Sequence, residues 1–141
     1  MSDPAAWRGS TLTTDRSWVV ELDDAHRAEL LHAAHADAPL TTLVPLLAQC
    51  RRELQSGRGV LLVRGVPVEE LDDDGCRRVF SLLGRQLGEP VSQNREGELI
   101  TDIRDIGNDP DDPDVRLYTT AAEQDFHTDG ADLIGLIGAV R

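Results

Sequence analysis

The sequence predicts an α+β fold, helical in front and β-rich behind. Apolar residues recur at one-face helical spacing over 43–54 and again over 76–87. After Pro90 the pattern changes to short β-prone runs separated by Gly, Asn, Asp and Pro. The last of these runs carries Asp125-Phe126-His127-Thr128-Asp129-Gly130. On a strand, alternate side chains share a face, so His127 and Asp129 are expected to point the same way.

The chain of 141 residues reads as a single domain over 1–141, with a helical part over 1–56 and the start of a β-core over 57–141. Its formal charge is −12, and all fourteen basic residues are arginine. No basic cluster exceeds Arg51-Arg52 or Arg77-Arg78, which argues against nucleic acid and against anionic membrane surfaces as partners. No apolar run approaches membrane-spanning length, and Met1-Ser2-Asp3-Pro4 does not open a signal peptide. A cytoplasmic location is the expectation. Cys50 and Cys76 lack motif spacing and fall on apolar helix faces, so both read as buried, reduced thiols.

Residues 1–20 form an arm, with Trp7 and Trp18 as packing anchors. Asp23 is a good N-cap for a helix over 24–36, whose apolar side is Leu30, Leu31 and Ala34. His26, His32 and His35 read as solvated residues of that helix. Thr42 is expected to cap a second helix, with Pro45 in its first turn and Leu43, Leu46, Leu47, Cys50 and Leu54 on its buried face. Gly57 stands where a left-handed C-cap belongs. Val60-Leu61-Leu62-Val63, between Gly59 and Gly65, reads as a strand buried on both faces. A third helix spans 72–87, with Cys76, Val79, Phe80, Leu83 and Leu87 on one face and Gly88 past its end.

Beyond Pro90, residues 98–104 read as a strand with Leu99 and Ile103 on one face. Residues 108–114 are an acidic loop; the residue order of a calcium loop is absent there. Residues 115–120 and 125–130 are β-prone, and 132–140 is a final apolar strand interrupted by Gly135 and Gly138.

An imidazole and a carboxylate on one face are two donors of the facial triad used by non-haem iron oxygenases. His35-Ala36-Asp37 has the same spacing, but at the end of a helix residues two apart diverge. His127 is therefore the ligand candidate. Phosphate-cradling glycine loops, Gly-x-Ser-x-Gly, His-Glu-x-x-His and Cys-x-x-Cys are all missing.

Several segments together resemble the TauD/TfdA-like Fe(II)- and 2-oxoglutarate-dependent dioxygenases. They are Gly59-Val60-Leu61-Leu62-Val63-Arg64-Gly65-Val66-Pro67, Ser92-Gln93-Asn94, Gly97-Glu98-Leu99-Ile100, Arg116-Leu117-Tyr118-Thr119-Thr120 and Phe126-His127-Thr128-Asp129-Gly130-Ala131-Asp132. The resemblance implies a partial double-stranded β-helix core (jelly-roll, clavaminate synthase-like) with N-terminal flanking helices. It implies His127 and Asp129 as two of three iron ligands, with 2-oxoglutarate as co-substrate, molecular oxygen and a small organic substrate. Tyr118, Thr120, Gln93 and Asn94 could line the pocket or equally serve as core and strand surface.

The family's second metal-binding His and its co-substrate Arg lie well downstream of the His-x-Asp strand. No His follows His127, and Arg141 is too near the motif to match that Arg. The chain is expected to be the N-terminal half of such an enzyme, as a fragment, a truncated gene product or a member completed by another chain. An unpartnered last strand invites self-association. A non-catalytic relic or binding protein is the alternative. A cupin-type metal jelly-roll is a weaker one, because cupins bring several His together. The substrate is not legible.

Overall fold

The structure, a computed structural model, describes residues 3–36 and 38–138. It divides into two units, Met1–Glu89 with Gly135–Arg141, and Pro90–Ile134.

In the first unit the order is α1 (Gly9–Thr14), β1 (Val19–Glu21), α2 (Asp24–Ala36), α3 (Val44–Ser56), β2 (Leu62–Arg64), a 3₁₀ turn (Val68–Glu70) and α4 (Asp73–Leu87). β1 and β2 pair in parallel, with Val19 opposite Leu62, Val20 opposite Val63 and Glu21 opposite Arg64. Parallel neighbours need a long crossover, and α2 with α3 supplies it. β1 escaped the sequence reading because Val19-Val20 is too short to show alternation. Contrary to expectation, β2 is not buried on both faces: Leu62 is 37% exposed. The sheet among the described residues has only these two strands, so β2 has no neighbour on its other edge.

α2 begins where predicted, with Asp23 Oδ1 accepting the His26 amide hydrogen bond at 2.9 Å. Leu30, Ala33 and Ala34 form its buried face. The core joins them to Leu22, Leu40, Leu43, Leu47, Leu71, Cys76 and Val79. Arg27 straps α2 to the turn after β2, donating to Gly65 O at 2.7 Å and to the Glu69 and Glu70 carboxylates at 3.1 and 2.9 Å. α4 is capped by Asp72, whose Oδ1 accepts from Gly75 N at 2.7 Å.

α3 corrects two expectations. Its N-cap is Leu43, not Thr42, and no side chain of its own segment caps it. The acceptor comes from α2 instead: Glu29 receives the amides of Thr41, Thr42 and Leu43 at 2.6, 2.7 and 2.8 Å. At the other end, Gly57 has φ −106°, so it is not the left-handed cap. The left-handed residue is Gly59, φ 74°, whose amide also reaches Glu53 O at 3.3 Å.

The arm's two indoles are tied by hydrogen bonds, but Trp7 is 42% exposed and so is not the packing anchor expected of it. Trp7 Nε1 donates to Arg58 O and Trp18 Nε1 to Leu12 O, both at 3.0 Å. Cys50 and Cys76 are buried and free, as predicted. Burial pushes both thiols up, and the Asp72 charge adds to the effect at Cys76. Among the described residues no helix is long and apolar enough to cross a membrane.

In the second unit the strands expected over 98–104 and 125–130 are absent, and the run expected at 115–120 is a 3₁₀ turn, Leu117–Thr119. Thr119 and Thr120 turn their hydroxyls back onto Arg116 O and Leu117 O at 2.7 and 2.9 Å. Such local bonding competes with a ladder. Backbone pairing here includes Arg104 N with Tyr118 O at 3.0 Å, Ile106 N with Thr119 O at 3.1 Å and Gln93 N with Glu98 O at 2.7 Å. The acidic loop at 108–114 is a loop, closed on itself by Asp109 and Asp112 turns. The final strand expected over 132–140 is irregular through 138, and its end lies outside the described residues.

A physical reason covers these differences. Among the described residues, none in Pro90–Ile134 belongs to the hydrophobic core cluster of the first unit. Val91, Leu99, Ile103, Ile106, Leu117, Phe126, Leu133 and Ile134 are all exposed. Strand preference is largely packing against a pleated, half-buried surface, and these large apolar side chains are exposed instead.

Candidate metal centre

His127 and Asp129 sit in irregular backbone rather than on a strand. The two side chains nevertheless approach each other, with His127 Nε2 at 3.9 Å from Asp129 Oδ1. Both are open to water, at 57% and 52% exposure. The other ring nitrogen is committed: Nδ1 lies 2.8 Å from Asp125 O. A carbonyl oxygen only accepts, so Nδ1 carries the hydrogen of that bond and Nε2 is the ring nitrogen that faces Asp129. Ligating histidines are commonly oriented by such a bond from the second nitrogen to a backbone carbonyl. Sequence reasoning missed Asp125, because the contribution is its carbonyl and not its side chain.

The donor chemistry fits a divalent metal. Bonds of about 2.1 Å at right angles place two donors about 3 Å apart. The observed 3.9 Å needs a closure of about 1 Å, within reach of exposed side chains on irregular backbone. Two ligands are what this segment offers. Among the described residues no group of three His, Cys, Asp or Glu is placed to hold a metal.

The remaining candidates are engaged locally. Gln93 donates to Val91 O at 2.9 Å, and the Asn94 amide pairs with the Glu98 carboxylate at 2.5 Å. Thr120 is buried with its hydroxyl on Leu117 O, and Tyr118 bonds Arg104 through its backbone. None of these bonds reaches His127 or Asp129. His26 lies 2.9 Å from Asp23, the residue that caps its own helix, which favours the structural reading for it. The duplicate step ends at Asp37, outside the described residues. An open cavity of about 280 Å³ in the first unit, lined in part by Ser17, Gln49, Cys50, Glu53 and Arg58, holds neither candidate ligand.

No family profile matches the chain. FR-33289 synthase of Streptomyces rubellomurinus (strain ATCC 31215) is 30% identical over 148 aligned residues, which cover 94% of this chain. The chain is similar to an enzyme. It spans less than half of that relative, 44% of its length. The similarity extends across both units, since only a small part of the chain lies outside it.

Proposed function

We propose that this chain is part of the catalytic domain of an Fe(II)- and 2-oxoglutarate-dependent oxygenase of the TauD/TfdA type, acting on a small organic substrate. The observation that carries this reading is the His127 ring, held by Asp125 O so that Nε2 turns toward the Asp129 carboxylate. Similarity to a synthase over most of the chain supports an enzymatic role. The motif resemblance supports the oxygenase class and a jelly-roll core, of which residues 57–141 are the beginning.

When bound, the metal and co-substrate supply the oxidative chemistry. The chain's share is ligation and orientation. His127 Nε2 offers a neutral donor, Asp129 an anionic one that offsets part of the metal's charge, and Asp125 O fixes which ring nitrogen is free. A facial triad needs a third ligand, and the distal carboxylate of 2-oxoglutarate needs a cation; among the described residues no third ligand is grouped with His127 and Asp129. Both residues are half exposed, so excluding water from the metal requires a cover over this segment.

Anaerobic Fe(II) titration followed by proton NMR tests the assignment. The His127 ring signals broaden before those of His26, His32 and His35, and Asp129→Ala removes that preference. Equal broadening of all four histidines, or none at His127, removes this residue from the site.

A further inference from the structure

We draw no further inference here: the strongest candidate, the set of exposed apolar side chains along Pro90–Ile134 that includes Val91, Ile103, Ile106 and Phe126, is an unpartnered apolar face, and nothing in the structure shows what covers it.

Discussion

Glu29 on α2 caps α3, its Oε2 accepting the Leu43 amide at 2.8 Å while Oε1 takes the amides of Thr41 and Thr42 and the Thr41 hydroxyl. A helix start normally draws its acceptor from the preceding few residues. Here the acceptor is borrowed from another helix, so the cap is also a tertiary contact. Burial opposes the charge, but the hydrogen bonds from Thr41, Thr42 and Leu43 outweigh it and lower Glu29 from 4.5 to about 2.

Glu29→Gln is therefore expected to destabilise the fold by about 1–2 kcal/mol near neutral pH, allowing for partial solvent screening. The carboxylate is depressed in the folded state, so its contribution is complete above the unfolded value of 4.5. It is lost as pH falls from there through about 2. Urea midpoints of both proteins, measured across that window, are expected to converge at its lower end. A gap that stays constant with pH means the lost contact is not ionic.

The buried thiols supply a second check. Cys50 and Cys76 are shielded, and their ionisation is pushed up by burial. Thiolate is the reactive form. Iodoacetamide at neutral pH is expected to label neither residue in the native chain and both in urea. Fast native labelling of Cys76 would show that α4 opens readily.

Glycine substitutions separate backbone geometry from bulk. Gly65 has φ 87°, and a Cβ there would meet Leu22 O at 3.1 Å and Leu22 Cβ at 3.3 Å. Gly88 is extended and has open space around it. Gly65→Ala is expected to cost about 1–3 kcal/mol, and Gly88→Ala to leave the urea midpoint nearly unchanged or slightly raised. Similar losses at both positions would contradict the register of β2 after Arg64.

At the candidate site, stability and ligation are expected to come apart. His127 and Asp129 are exposed and contribute little packing. His127→Ala and Asp129→Asn should leave the urea midpoint where it is, while each removes the selective Fe(II) effect on the segment. A variant that unfolds instead assigns the residue to the scaffold.

Residues 90–134 are expected to be the least protected part of the chain. Many of their large apolar side chains are exposed, and slow amide exchange needs buried, cooperative structure. Hydrogen exchange should therefore be fastest there and slowest in α2, α3 and α4. The same exposure favours self-association, which the net charge of −12 opposes. Sedimentation should show more association as salt screens that repulsion. Association that weakens with salt would point to ionic contacts instead.

The helices were legible because their pattern and packing agree. Asp23 caps as its side chain implies, and Cys76 and Val79 are buried as their spacing implies. The Thr42 cap failed because a stronger acceptor arrived from outside the local window. β1 was hidden because a three-residue strand has almost no pattern to show, and its pairing depends on residues far along the chain. At His127 the two side chains meet, at 3.9 Å, without the strand that their spacing predicts. Proximity came from the Asp125 carbonyl and a local bend rather than from a pleated strand.

The parallel pairing of Val19 with Leu62 bears on how the molecule is made. A nascent chain emerging from the ribosome holds Val19-Val20-Glu21 in the open until α2, α3 and Leu62-Val63-Arg64 have all followed it out. The first strand is thus the earliest synthesised and among the last secured. Arrest or cleavage before Arg64 would leave it without a partner.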